Sequence, residues 1–397
     1  MTAIGRRILR LMTLCIAALL VVSSALAEID LQTVARISPR TQIVCEVTFA
    51  GPLTRDQIPR LRELELRSAV PPRELVGRES AVFSTQARTT LALDDPLIAE
   101  WRWLPTHQAG ALYSIHFQYV GEETLPALTF TIAAPRSATG RELTSLAARI
   151  DPAAPLQSST DAAGNRFLTL AYHDVRTGQQ FLFDFAVGYE FDTAAIVLGS
   201  TPALGPTPMP ARWPEEVLPF LEPGFHIESD HPEIVAAAEP LATSDRLDER
   251  IRAVLRFVGR TVTYDTAKRD GYFGGRFTYR DAWEMWQGAV GTLRRGEGCC
   301  PDSAELKVAL LRAAGIPART AVHTGHLYAE AWVPGHGWLT DGPMSKIPLL
   351  RAPGPDNISY MAWEPEVPVR CAAWRGQLRP LEPPHIEGEG WIALPIE

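Results

Sequence analysis

The chain has 397 residues, 46% of them hydrophobic and 21% charged, with a formal net charge of −8. This is globular composition, with length for about two to three domains. No Lys/Arg run or basic stripe is present, so a nucleic-acid partner is excluded as an expectation.

Residues 1–27 read as a signal peptide. Arg6, Arg7 and Arg10 form a positive start, an apolar run follows from Leu11 to Val22, and Ala25-Leu26-Ala27 fits the small-residue cleavage rule. Cleavage before Glu28 takes the charge from −8 to −11, because three arginines and no acid leave. The alternative is an uncleaved anchor, for which the apolar run is short. The expected location is periplasmic or secreted, with no stable membrane insertion after cleavage. The compartment is then oxidising. Cys15 leaves with the signal, and Cys45, Cys299, Cys300 and Cys371 remain.

Residues 28–198 are strand-like. Tyr113, Ile115, Phe117 and Tyr119 alternate with polar residues, and Phe181, Phe183, Phe185, Val187, Tyr189 and Phe191 keep the same period. Ile43, Cys45, Val47 and Phe49 do so at the start. The reading is an antiparallel β-sandwich-like domain with no chemical constellation of its own. Residues 199–216 form a Pro-rich linker carrying Pro202, Pro206, Pro208, Pro210 and Pro214.

Residues 217–345 open with helices. Asp230 is placed to cap one that has Pro232 in its first turn and Glu233 at capping-box spacing. Leu247, Ile251, Val254, Leu255 and Val258 line the face of a second that starts near Ser244 or Asp245 and closes at Gly259. Helices followed by a meandering sheet indicate an α+β core. Residues 346–397 are Pro-rich and read as an irregular extension packed on that core, with Trp363, Trp374 and Trp391 docking.

Cys300 lies in Gly298-Cys299-Cys300-Pro301-Asp302-Ser303-Ala304, directly before a helix whose buried side is Leu306, Leu310 and Ala313 and whose stop is Gly315. A thiol at a helix N-terminus is drawn from a pKa of about 8.5 toward the thiolate. Residues 326–333 read as a strand, Pro334–Gly337 as a turn and 338–341 as the return strand, so antiparallel pairing brings His326 and Asp341 together. Cys, His and Asp in that order are the parts of a thiol acyl-transfer site. His323, three residues upstream, is expected on the opposite side of the chain, and His336 in the turn is expected to be solvated. Competing readings are an inert buried thiol, a vicinal Cys299–Cys300 bridge, and a zinc site of Cys299, Cys300, His323 and His326. A Cys299–Cys371 bridge is the favoured pairing, with Cys45 a buried thiol.

The segment from about Leu221 to Pro343 resembles the transglutaminase-like superfamily. Gly298, Cys300, Asp302 and Ala304 match its G-x-C-x-D-x-A motif. Arg312, Gly315, Ile316, Pro317, Ala318 and Arg319 match its helix end, His326 and Glu330 its histidine strand, and Pro334, Gly335, Gly337 and Trp338 its turn. Leu327-Tyr328 stands in place of Ala-Trp, and Asp341 arrives one residue early. The resemblance implies a papain-like fold with Cys300 as nucleophile, His326 as base and Asp341 as its orienter. It implies acyl transfer from a glutamine carboxamide or a peptide or isopeptide bond, on a protein or peptide substrate such as one of the cell envelope. Neither cofactor nor metal is expected. The second oxyanion donor is sought near Trp283–Trp286. The rival reading is a catalytically silent binding or assembly module.

Overall fold

The computed structural model describes residues 42–90, 93–192, 205–273, 286–342, 346–354 and 368–396. The signal segment, the linker up to residue 204, Trp283, Trp363 and the side chain of Trp374 lie outside them.

The strand-like first half makes two units rather than one sandwich. In the first, β1 (Gln42–Phe49), β2 (Arg67–Ser68), β3 (Ser80–Gln86) and β4 (Ile98–Leu104) form a sheet in the order β2-β3-β1-β4. The helix α1 (Ile58–Glu63) gives Ile58 and Leu61 to the same apolar cluster as Cys45, Val47, Phe49 and Phe83. An alternating pattern marks strands but not which strands share a sheet, so the sequence merged the two units.

The second unit is the sandwich. One layer contains β5 (Thr106–Tyr119), β7 (Arg141–Asp151) and β10 (Gln180–Asp192), with β10 in the middle. The other contains β6 (Leu125–Ala133), β8 (Leu156–Thr160) and β9 (Arg166–Val175), in the order β6-β9-β8. Aromatic side chains fill the space between. Phe117 stacks on Phe130 at 5.3 Å, and Phe130 lies 4.9 Å from Phe181.

The second half supplies α2 (Pro232–Ala238), α3 (Leu247–Thr261), β11 (Thr263–Tyr264), α4 (Thr266–Phe273), α5 (Gly288–Arg295), β12 (Glu297–Gly298) and α6 (Cys300–Ala313). His231 rather than Asp230 caps α2, accepting the Glu233 N–H at 3.3 Å. The strands β13 (Ala318–His323), β14 (His326–Val333), β15 (Gly337–Thr340) and β16 (Pro348–Arg351) form a sheet ordered β15-β14-β13-β16. One face of it, with Ala318, Ala329, Ala331 and Val333, joins the core made by Leu306, Leu310 and the apolar sides of α2 and α3. Gly315, at φ +77°, ends α6 where a Cβ would be strained.

The C-terminal extension corrects the sequence reading. It is not irregular and it does not pack on the α+β core alone. It contributes β17 (Val369–Arg375), β18 (Arg379–Pro380) and β19 (Trp391–Ala393). β17 pairs with β5 and β19 with β7, so both open edges of the larger sandwich sheet are covered. Between them the chain lies so close to Gly110 that a Cβ there would meet Glu382 O at 2.4 Å. Trp391 docks under Arg149, whose guanidinium is 5.3 Å from the ring centre. Among the described residues no helix is long and apolar enough to cross a membrane.

Candidate active site

Cys300 is the first residue of α6, with Pro301 in the first turn and Cys299 at the cap. Pro fits there because those N–H groups have no intrahelical partner. Asp302 folds back so that its Oδ2 accepts the Cys299 N–H at 2.8 Å. Both of its oxygens also accept from Lys268 Nζ, at 2.9 and 2.8 Å. This pair is almost fully buried, with 4% of the Lys268 and 0% of the Asp302 side chain exposed. It holds the helix start against α4. The parallel pairing of Tyr264 with Gly298 sets the other side of the same turn.

Cys300 is buried, which by itself raises a thiol pKa. Hydrogen bonds from Cys299 and His326, the charge of His326 and the Leu327 N–H outweigh burial and hold it well below the ordinary value. The neighbouring Cys299 moves the other way, because it donates to Cys300 and is itself buried. Within the pair the two shifts are therefore opposed: Cys299 is held toward the thiol and Cys300 toward the thiolate. Arg269 and Lys346 add positive charge around it. Tyr264 is also within hydrogen-bonding reach; its pKa is raised by burial and then by the two cysteines.

His326 begins β14, and its hydrogen bond and charge are among the causes that lower the Cys300 pKa. Its ring meets that of Tyr328 edge to face at 4.4 Å. The position of His323 corrects the sequence reading. β13 and β14 are joined by the two-residue turn Thr324-Gly325, with Gly325 at φ +64°, and His323 is the cross-strand partner of His326. Cross-strand partners point to one face, so the two histidines lie on the same side. His323 is buried, and burial followed by Arg141, His326 and Lys346 lowers its pKa well below the imidazole range. His336 is half-buried in its turn, and burial lowers its pKa too.

Asp341 does not meet the imidazole. The register pairs Glu330 with Thr340, so Asp341 falls beside Ala329, three residues along the strand from His326. At about 3.3 Å per residue the gap is too long for a direct bond. The Asp341 carboxylate instead accepts the Ala329 N–H at 3.0 Å and Lys307 Nζ at 2.5 Å. It ties α6 to the hairpin. Among the described residues no carboxylate forms an ion pair with His326.

A second acidic group lies under the helix. Glu305 is fully buried, and burial, then Asp302 and Glu228, push its pKa well above the carboxylate range. His226 Nδ1 approaches it at 3.8 Å. Trp286, from the segment searched for an oxyanion donor, faces Glu305 rather than the thiol. The four described cysteines are not bridged to one another. Cys371 is in β17 beside Phe117, built into the sandwich, so the expected Cys299–Cys371 bridge is absent. Cys45 is a buried thiol whose pKa burial pushes up to about 12. Among the described residues no group of three or more His, Cys, Asp or Glu is arranged to hold a metal.

Sequence reasoning missed Lys268, Tyr264, Arg269 and Lys346. Each is distant in sequence from Cys300, and none sits in a periodic pattern that marks it. Asp302 was visible as a helix-start carboxylate, but its partner 34 residues away was not.

A cysteine at a helix start beside a strand histidine, on helices packed against an antiparallel sheet, is the arrangement of a papain-like α+β architecture. Residues 235–341 match the family described as the transglutaminase-like superfamily, so this segment is similar to a transglutaminase-like core. A Cytophaga hutchinsonii structure described as a candidate cysteine protease shares the fold at a TM-score of 0.52 and 14% identity, covering 71% of this chain and 94% of its own. The periplasmic domain of TgpA from Pseudomonas aeruginosa matches at a TM-score of 0.26 and 16% identity, covering 79% of this chain and 93% of its own. No curated protein sequence matches the chain.

Proposed function

We propose that this protein is an exported thiol acyl-transfer enzyme acting on a glutamine carboxamide or a peptide or isopeptide bond. The observation that carries this is the Cys300 thiol, held toward the thiolate at the start of α6 by His326. The Cys300 sulfur attacks the carbonyl, the C–N bond breaks, and His326 delivers the proton to the departing amine. The resulting thioester passes to water or to a second amine, with His326 taking the proton from that nucleophile. The Cys300 backbone N–H, unpaired within the helix, faces the developing oxyanion. Asp341 acts through Lys307 and the Ala329 N–H, fixing α6 to the hairpin, rather than on the imidazole. Export rests on the positive, apolar, small-residue order of residues 1–27.

The test incubates the purified protein with casein, once with monodansylcadaverine and once without. Dye incorporation marks transfer to an amine, released ammonia marks acylation of Cys300 by a glutamine carboxamide, and new casein fragments mark peptide hydrolysis. The reading requires one of these in the wild type and none in Cys300→Ala. A wild type with neither, or a Cys300→Ala variant that keeps its activity, overturns it.

A further inference from the structure

A cleft of about 250 Å³ lies between the sandwich and the face of the β13–β14 hairpin that carries Arg319, His323 and Glu330. Arg136, Arg319, Arg351, Glu330, His323 and Trp338 are among its lining residues. Three guanidiniums in one cleft repel each other. Burial, then Arg351 and Arg319, depress the pKa of Arg136 to about 10. A Cβ built on Gly164 would sit 3.6 Å from Arg136 Nη2 and 3.7 Å from Arg351 Nη2, so the two flank one point.

The neighbouring acids do not balance them. Glu330 takes Arg319 Nε at 2.8 Å. Asp161 accepts from the N–H groups of Ala163 and Asn165 and from the Asn165 amide. Arg136 spends Nη1 on Asn165 Oδ1 at 2.6 Å, and Arg351 spends Nε on Ala163 O at 2.9 Å. The Nη groups of Arg319 and Arg351 make no hydrogen bond to a described residue. Arg319 is held flat on Trp338, its guanidinium carbon 3.9 Å from the ring centre, so its fork is oriented in advance. A second observation points the same way. His323 Nδ1 is buried in this wall without a hydrogen bond to a described residue. Such a group costs stability unless something fills it.

We propose that this cleft binds a small ligand bearing two negative charges on oxygen, a phosphate or a dicarboxylate, between the forks of Arg319 and Arg351, with Arg136 at its side and His323 Nδ1 as a further contact. The volume holds several waters at about 30 Å³ each, enough for such an ion and too little for a folded partner. Planar forks suit both oxyanion types. Neither Cys300 nor His326 lines the cleft, although His323 is the cross-strand partner of His326, and occupancy of the cleft does not depend on the acyl-transfer reading.

The test is isothermal titration of the full chain with inorganic phosphate and, separately, with succinate at matched ionic strength. Saturable one-to-one binding of either ion supports the site, and which ion binds assigns the ligand class. Arg351→Gln and Arg319→Gln each weaken binding by about tenfold or more, while the exposed Arg379→Gln does not. As a measurement free of folding effects, phenylglyoxal modification of Arg351 in the wild type slows when the bound ion is present. Absence of saturable binding of both ions to the wild type, binding unchanged in both cleft variants, or no protection of Arg351 overturns the proposal.

Discussion

At the scale of single residues the site depends on buried charges that must stay paired. Lys268→Met leaves the Asp302 carboxylate buried without its cation. Breaking such a pair from one side costs about 3–5 kcal/mol. Urea denaturation of Lys268→Met therefore shows a large stability loss, whereas a variant within about 1 kcal/mol of wild type would mean that the pair is not closed to water. Glu305 makes the opposite case. Its folded pKa is raised, so its protonated form is favoured by folding. The stability this gives is full below the unfolded pKa and is lost as pH rises through the folded value. Glu305→Gln should accordingly melt close to wild type near pH 4 and above it near pH 8, by about 1–3 kcal/mol. Melting curves at the two pH values check this, and a constant difference between them would contradict it.

At the scale of elements, α6 carries the thiol and β14 the imidazole, and both were legible as a helix start and a strand. The Gly298-to-Asp302 stretch marks a helix start, and Gly315 marks its stop. What escaped was register. The two-residue turn at Thr324-Gly325 places His323 opposite His326, whereas a reading by alternation along one chain separates them. Pairing of Glu330 with Thr340 moves Asp341 to Ala329, and nothing in local spacing reveals that offset. Long-range pairs such as Lys268–Asp302 escape for the same reason, since only folding brings them together. The register carries a prediction. Asp341→Asn weakens the bond to Lys307, whose side chain is 22% exposed, and lowers stability by about 1 kcal/mol. The pH profile of Cys300 alkylation stays where it is. A profile displaced by Asp341→Asn would return Asp341 to the imidazole.

At the scale of the whole molecule, the chain closes on itself. β17 and β19 return from the far end to cover the edges of β5 and β7, and Arg141 Nη1 donates to Lys346 O at 2.6 Å across the joint with the core. Apolar packing is continuous there, because Ala304, Val322 and Leu327 share a cluster with Phe117 and Phe183. The sandwich is thus a support for α6 and the hairpin, not a detached module. Deleting residues 368–397 bares two sheet edges, so the truncated chain aggregates or melts about 5 °C or more below wild type. Scanning calorimetry with light scattering reads this, and a truncated chain as stable and soluble as the full one would contradict it. The account as a whole stands on the thiolate at Cys300. Its most direct measurement is iodoacetamide labelling between about pH 5 and 9, followed by peptide mass spectrometry, on wild type and His326→Ala. Cys300 should label readily at neutral pH with a rate that falls only in acid, Cys299 should resist, and His326→Ala should slow Cys300 by about tenfold or more near pH 7. A Cys300 rate that climbs only toward pH 9, unchanged by His326→Ala, would contradict the account.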